Sequence, residues 1–228
     1  MINKIIAIFK GKFLNAKSAT YEELFEVAKT FTKGKSYSLD SPTKSSSSET
    51  SVSTLLKELS DLLGKYQSNY NHPDYTPVYL FGGDCANIHI NILNYIQKYY
   101  SDISANITIG GVLLSGQQGF QFSQDKCNEW LENGSPEIFS CHAWITIDND
   151  YILDCTIGTY INTRIDPAKD DNISQNAYGG LTFGKVDNLQ HIAISNLKGK
   201  RPPEDIKIEY NPVILGEEAF EVIVPKST

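Results

Sequence analysis

The sequence has no long apolar run and no excess of basic residues. Near its start only Ile5–Phe9 is continuously apolar, and Lys10 and Lys12 follow, so this segment is too short for a signal-peptide core or a membrane span. The 20 Lys and Arg residues are scattered and outnumbered by 27 Asp and Glu, giving a formal charge of −7. We therefore expect a cytoplasmic protein that binds neither membranes nor nucleic acid. Export by a route that reads no cleavable signal, as some bacterial effectors use, is compatible with this composition.

Motifs that would indicate a disulfide framework or a metal site are also missing. No pair of cysteines has C-x-x-C spacing, and no two histidines stand at an interval typical of zinc ligands. A chain of 228 residues can bury a core without such cross-links. We therefore expect free thiols, no metal and no cofactor. The residues concerned are Cys85, Cys127, Cys141, Cys155, His72, His89, His142 and His191.

Length and composition predict a single domain spanning residues 1–228. The apolar fraction of 40% and the charged fraction of 21% are close to those of ordinary soluble domains. Helical periodicity occurs in Asn3–Phe13, Tyr21–Phe31 and Ser53–Tyr66. Between the last two, Lys35–Ser53 is rich in serine and holds little apolar surface, which predicts a mobile loop within the domain.

The pattern changes from helix to strand along the rest of the chain. Ala86–Tyr100 has apolar residues at three- and four-residue steps, which predicts an amphipathic helix, and Gln124–Leu131 predicts a short one. Helices followed by mostly antiparallel strands indicate the α+β class. The predicted strands are Ile107–Leu114, Ile138–Ile147, Tyr151–Thr156, Leu189–Ser195, Asp205–Tyr210 and Phe220–Val224.

Cys85 is the best candidate for a reactive thiol. It follows Gly82, Gly83 and Asp84 and opens the predicted helix, where Asp84 suits the N-cap position. Unpaired amides and the positive end of the helix dipole favour an anion there, and the thiolate is the reactive form of cysteine. The other three cysteines lie within strand or helix patterns, which favours packing roles. On position alone, a packing role explains Cys85 equally well.

A predicted hairpin links His142 to Asp154. The runs 142–147 and 151–156 flank the turn residues Asp148, Asn149 and Asp150. Because side chains alternate along a strand, a three-residue loop puts Asp154 on the face of His142, whereas a two-residue loop puts it on the opposite face. Asn and Asp tolerate the left-handed conformation that the longer loop needs. In that register Asp154 would orient His142, and His142 would act as the base for a nucleophile.

These short motifs resemble the core of bacterial transglutaminase-like cysteine enzymes, in the papain/transglutaminase-like superfamily. The matching residues are Gly83-Asp84-Cys85 at a helix start, His142-Ala143-Trp144 on a strand and Leu153-Asp154-Cys155-Thr156 on the next. They span about Phe81–Gly158. The resemblance implies a papain-like core, with N-terminal helices packed on an antiparallel sheet and the nucleophile at the start of a central helix.

In that family the three motifs carry a catalytic triad. The resemblance therefore implies Cys85 as nucleophile, His142 as base and Asp154 as the acid that orients the base. It also implies a hydrolase or acyltransferase that forms a thioacyl-enzyme from an amide of a protein, a peptide or a small molecule. The family contains peptidases, amidases, crosslinking enzymes and deamidases, so the acyl acceptor is left open.

Further residues are expected around the triad. The resemblance implies that Trp144 forms a wall of the site or packs behind it. Gly83 gives freedom for a tight entry to the helix and for close approach of a substrate backbone, and Asp84 would cap the helix. His89 lies four residues after Cys85 on the same helical face and could line the cleft, although packing is the commoner role for such a residue. An oxyanion hole would combine the Cys85 amide with a second donor such as Tyr79.

The chain departs from the family pattern in three places. Ala86 and Asn87 replace the acidic residues that usually follow the nucleophile, and Cys155 replaces a frequent proline. The insertion at about Ser115–Ser140 is unusual in content and could act as a lid or select substrates. None of these departures removes a triad residue.

Two other interpretations stay open. The Gly-Gly-x-Cys spacing also resembles arylamine N-acetyltransferases, but Phe81 replaces the arginine that usually precedes the glycines, and the chain is short for that family. A non-catalytic binding module that retains the triad residues by descent is the third interpretation. Consumption of acetyl-coenzyme A would identify the former, and a Cys85 no more reactive than the other thiols would indicate the latter.

Overall fold

The computed structural model describes residues 19–41, 47–69, 84–136, 140–164, 181–192 and 206–224. Within these ranges the chain forms helices around a seven-stranded sheet. The helices are α1 (Tyr21–Gly34), α2 (Glu49–Asn69), α3 (Cys85–Tyr99), α4 (Gln124–Asn133), α5 (Ile157–Arg164) and α6 (Glu217–Ile223). The strands are β1 (Ala105–Leu114), β2 (Gln117–Phe120), β3 (His142–Ile147), β4 (Tyr151–Asp154), β5 (Leu181–Lys185), β6 (Gln190–Ile192) and β7 (Ile208–Leu215).

Strand β1 organises the sheet because it is paired on both edges. Residues 108–114 pair with β7, residues 105–110 with β3 and residues 112–114 with β2, all antiparallel. Since β7 overlaps both other pairings, it occupies one edge, and β2 and β3 lie end to end along the other. The sheet continues from β3 through β4 and β5 to β6. This arrangement puts the end of β2 beside the start of β3, where His142 lies.

Helices cover both faces of the sheet. On one face, α2, α3, α4 and α6 pack with β1 and β3 in a cluster that includes Leu93, Ile96 and Trp130. On the other face, α1 and α5 pack in a second cluster that includes Phe25 and Trp144. Helices combined with an antiparallel sheet are compatible with the predicted α+β class. Among the described residues, no helix has both the length and the apolarity needed to cross a bilayer.

The N-termini of three helices are fixed by side-chain caps. Thr20 and Glu23 form a reciprocal capping box at α1. Asp84 accepts a hydrogen bond from the Asn87 amide at the start of α3, as predicted for an N-cap, and Ser123 caps α4 in the same way. These caps explain why α1, α3 and α4 begin within one residue of their predicted positions.

The C-terminal prediction was wrong, because Phe220–Val224 forms the end of helix α6 and not a strand. Its short run is rich in β-branched and aromatic residues like a strand, but Ala219, Phe220 and Ile223 share one buried helical face. The Asp40 carboxylate also accepts a hydrogen bond of 2.7 Å from the Glu217 amide in the first turn. Helix α5 and strands β2 and β5 were not predicted, since short elements carry little periodicity.

The described parts of the serine-rich segment Lys35–Ser53, for which a mobile loop is predicted, make hydrogen bonds to the rest of the protein. The amide and hydroxyl of Ser47 bond to the Asp148 carboxylate at 2.8 and 2.7 Å. The Asp40 carboxylate accepts a 2.8 Å hydrogen bond from the Ile107 amide, and α2 already begins at Glu49. Residues 42–46 and the predicted helix Asn3–Phe13 lie outside the described residues.

Candidate active site

Cys85 is the first residue of α3 and the only half-buried cysteine of the four. Asp84 holds the helix start in place, since its side chain accepts from the Asn87 amide at 3.2 Å and its carbonyl accepts from the Ile88 amide at 3.3 Å. The amides of Cys85 and Ala86 precede the first intrahelical hydrogen bond. They are therefore the backbone donors closest in sequence to the sulfur for an anion formed during a reaction.

The predicted hairpin register is confirmed. Ile147 pairs with Tyr151 and Ile145 with Leu153, which leaves a loop of three residues. Two residues of that loop adopt positive φ, with 59° at Asp148 and 124° at Asn149. His142 and Asp154 consequently share one face of the sheet, and His142 Nε2 lies 2.7 Å from Asp154 Oδ2. Both side chains are buried.

The Asp154 carboxylate accepts hydrogen bonds on both oxygens. Oδ2 accepts from His142 and from the Tyr210 hydroxyl, the latter at 2.9 Å. Oδ1 accepts from the Thr156 amide at 2.8 Å, the Thr156 hydroxyl at 3.1 Å and the Ile157 amide at 2.9 Å. Burial alone would raise the pKa of Asp154, but His142, with a smaller influence from the Thr156 amide, holds the pKa below its usual range. Asp154 is therefore an ionised carboxylate whose position is held by its hydrogen bonds.

The pKa of His142 is raised above its ordinary value. Burial would lower this pKa, but Asp154 and the Cys85 side chain outweigh burial and raise it to about 10. Nε2 donates to Asp154, while the buried Nδ1 makes no hydrogen bond of good geometry among the described residues, although the Cys85 side chain is close enough to influence the ring. The Cys85 side chain raises the pKa of the same ring, and Nε2 is already bonded to Asp154. Nδ1 is therefore the nitrogen that can exchange a proton with the sulfur. A proton can therefore reside on Nδ1 before any substrate is attacked.

Aromatic rings surround the imidazole. The Phe120 ring lies 4.7 Å from that of His142 at an angle of 26°, and the Tyr160 ring lies 4.6 Å from Phe120. The Trp144 ring is 6.1 Å from His142 at 24°, fully buried, with Nε1 donating to the Tyr21 hydroxyl at 2.8 Å. Trp144 therefore packs behind the imidazole and does not form an open wall. Such rings exclude water and favour a cation between them.

His89 does not line an open cleft, because it is fully buried. Its Nδ1 lies 2.6 Å from the Cys85 carbonyl oxygen, and its Nε2 accepts a hydrogen bond of 3.0 Å from the Cys155 amide. The other predicted contributors, Gly83 and Tyr79, lie outside the described residues. His142 bonds to Asp154, and Cys85 lies close enough to His142 to raise the pKa of the ring, so the three predicted residues are brought together. His89 bonds to the backbone at Cys85 and at Cys155.

Tyr210 and Phe120 were not predicted as residues of the site. Tyr210 reaches Asp154 from β7, which pairs with β1 and not with β4, so only the order of strands reveals the contact. Phe120 belongs to the insertion at about Ser115–Ser140, for which no contact with the triad was predicted. Pairing of Phe120 with Val112 next to the Gly110–His142 pair brings the two rings together.

No family model, curated protein or solved structure matches this chain. The chemistry of the site therefore has to follow from its own geometry. Within the described ranges, no three or more His, Cys, Asp or Glu side chains are grouped so that they could hold a metal ion.

Removing the Tyr210 hydroxyl tests how firmly the carboxylate is held. In Tyr210→Phe, Asp154 loses one donor, so we expect the free energy of unfolding to fall by about 1.5–3 kcal/mol, as for other hydrogen bonds to charged groups. Urea unfolding at pH 7 measures this change. Tyr99→Phe is the control, since Tyr99 is 58% exposed. Equal stability of the two variants would show that the Tyr210 hydroxyl does not support Asp154.

Proposed function

We propose that this chain is a thiol-dependent hydrolase or acyltransferase that acts on amides through a thioacyl-enzyme. Cys85 is the nucleophile, His142 carries the proton and Asp154 orients His142. The substrate is a protein, a peptide or a small amide. The proposal rests on the order of the three residue types and on the geometry of their side chains.

The observation that carries the proposal is the unequal use of the two imidazole nitrogens. Nε2 of His142 is bound to a fully buried carboxylate at 2.7 Å, whereas the buried Nδ1 makes no hydrogen bond of good geometry among the described residues, with the Cys85 side chain close enough to raise the pKa of the ring. A histidine that served packing alone would satisfy both nitrogens, because an unpaired buried polar atom is unfavourable. An unpaired Nδ1 next to a half-buried thiol at a helix start is typical of a catalytic cysteine–histidine pair.

The reaction follows from this arrangement. The Cys85 thiolate attacks the amide carbonyl carbon, and the oxyanion that forms is met by the amides at the start of α3. His142 Nδ1–H gives its proton to the departing nitrogen as the C–N bond breaks, which leaves a thioester and a neutral imidazole. Water or an amine then loses a proton to Nδ1 and attacks the thioester. The tetrahedral intermediate formed by this attack expels the Cys85 thiolate and releases the product, and His142 is left as the imidazolium.

The architecture supports the resemblance to transglutaminase-like enzymes. Helix α3 presents Cys85 at its N-terminus and packs on the antiparallel sheet whose strands β3 and β4 carry the other two residues. A papain-like core is therefore part of the proposal.

Alkylation provides a test that needs no substrate. At pH 6.5 and with limiting iodoacetamide, we expect Cys85 to react at least about 100-fold faster than any other thiol, because the thiolate is the reactive species and the imidazolium stabilises it. Burial raises the pKa of Cys127, Cys141 and Cys155, so they serve as internal controls. Peptide mass spectrometry gives the four rates. Equal labelling of all four thiols would contradict the proposal.

The acyl acceptor is identified by a second experiment. The protein is incubated with a peptide library, with and without a primary amine, and the products are read by mass spectrometry. Loss of ammonia or cleavage of the chain without amine indicates hydrolysis, whereas incorporation of the amine indicates transfer. Reaction products that persist in Cys85→Ala would contradict both forms of the proposal.

A further inference from the structure

His89 links the two elements that carry the nucleophile and the acid. It lies one turn after Cys85 in α3, and its side chain is fully buried. Nδ1 is 2.6 Å from the Cys85 carbonyl oxygen, and Nε2 is 3.0 Å from the Cys155 amide nitrogen, next to Asp154. The ring also meets that of His142 edge-on, with centroids 6.3 Å apart.

The partners of the His89 ring define its protonation. A carbonyl oxygen only accepts, so Nδ1 must carry a proton, and an amide N–H only donates, so Nε2 must present its lone pair. A proton on Nε2 would point at the Cys155 N–H, and the hydrogen bond would be lost. The contacts therefore require a neutral imidazole protonated on Nδ1. Burial acts in the same direction, because it lowers the pKa of His89 to about 4 against the opposing influence of Asp154.

Because His89 is neutral, it does not compete with His142 for the Asp154 carboxylate. Nε2 of His89 lies 3.5 Å from Asp154 Oδ1, while Nε2 of His142 lies 2.7 Å from Oδ2. A protonated His89 would compete for the same carboxylate, and the charge that holds His142 would be shared. With its lone pair committed to the Cys155 amide, His89 cannot donate to Asp154.

We propose that His89 is a positioning residue of the candidate active site. As a neutral imidazole protonated on Nδ1, it fastens the first turn of α3 to the end of β4 and so sets the sulfur of Cys85 against the pair formed by His142 and Asp154. Its positioning role rests on the proposed function, whereas its protonation state follows from the contacts alone.

Nitrogen-15 NMR of the histidine-labelled wild-type protein tests the protonation state. Long-range proton–nitrogen correlations distinguish the two neutral tautomers from the imidazolium, and His→Gln variants assign the four rings. We expect His89 to show the neutral form with Nδ1–H throughout pH 5–8. A His89 that carries its proton on Nε2, or that titrates near the ordinary value of about 6.5, would overturn the proposal.

Two variants test separately the hydrogen bonds of His89 to the Cys85 carbonyl and to the Cys155 amide. His89→Gln keeps an acceptor near the position of Nε2, and His89→Asn keeps a donor near that of Nδ1. We expect each to lower the ratio of the Cys85 alkylation rate at pH 6.5 to that at pH 9.5 by about tenfold, the effect of one hydrogen bond. His191→Gln, which alters a histidine on β6 bonded to Thr182, is the control and should leave the ratio unchanged.

The outcomes keep the positioning role apart from the proposed function. A purely structural role would change both rates together, so an unchanged ratio in folded variants would overturn the proposal. If neither variant folds, the wild-type NMR spectrum decides. Failure of the proposed function has its own signature, which is equal labelling of all four thiols in the wild-type protein.

Discussion

Cys85→Ala is expected to lower kcat/KM by more than about 10⁴-fold, because nucleophile and proton carrier act as a unit and loss of either removes most of the catalytic effect. The free energy of unfolding should change by less than about 1 kcal/mol, since Cys85 is only half-buried. Turnover is measured with the peptide that the library experiment identifies, and stability by urea unfolding.

Cys127→Ala is the matched control. Cys127 is fully buried in the core cluster on the α3 side of the sheet, so its loss should reduce stability but leave kcat/KM of the folded protein within about twofold. A Cys85→Ala protein that retains a tenth of wild-type turnover would show that the reaction does not proceed through this sulfur.

Asp154→Asn is expected to lower kcat/KM by about 10³–10⁴-fold, because the amide cannot stabilise an imidazolium and can favour the wrong tautomer of His142. The pKa of His142 should fall, since burial would then act with less opposition from negative charge. In the wild-type protein the imidazolium is lost only as the pH rises through the raised pKa of His142. In the variant it should be lost at lower pH.

The raised pKa of His142 also makes the stability of the wild-type protein depend on pH. Because the pKa of His142 is raised on folding, its contribution to the free energy of unfolding is complete below about pH 6.5 and declines as the pH rises through the folded-state pKa. Urea unfolding from pH 6 to 10 measures the pH dependence of stability, and an NMR titration measures the pKa of His142 in the wild-type protein and in Asp154→Asn. Asp150→Asn, which removes only a surface ion pair with Lys185, is the control. If it reduced turnover as much as Asp154→Asn, the buried charge would not be the cause.

Local chemistry explains what could be predicted from the sequence. The N-cap Asp84, the helix that follows it and the three-residue turn at Asp148–Asp150 are specified by residues within a few positions of one another. The register of the hairpin then follows from the alternation of side chains, and with it the pairing of His142 with Asp154. Each of these steps depends on one or two neighbouring elements only.

Contacts between distant segments explain what could not be predicted. Tyr210 reaches Asp154 because β7 pairs with β1, and the sequence of β7 does not name its partner. His89 was recognised as a neighbour of Cys85, but its bond to Cys155 depends on how α3 packs on β4. Part of helix α6 was predicted as a strand because its short run is rich in β-branched and aromatic residues, and the Asp40 carboxylate that bonds to its first turn is far away in sequence.

The late position of β7 has a consequence for how the protein is made. A ribosome synthesises Cys85, His142 and Asp154 well before Tyr210, so a nascent chain that stops short of β7 holds all three reacting groups while one donor to the carboxylate is missing. The same chain exposes the β1 edge that β7 later covers along residues 108–114. The hydrogen bond from Tyr210 to Asp154 can therefore form only after the three reacting groups have been synthesised. A polypeptide released before β7 would have the three reacting residues without this hydrogen bond and with an unpaired edge on β1.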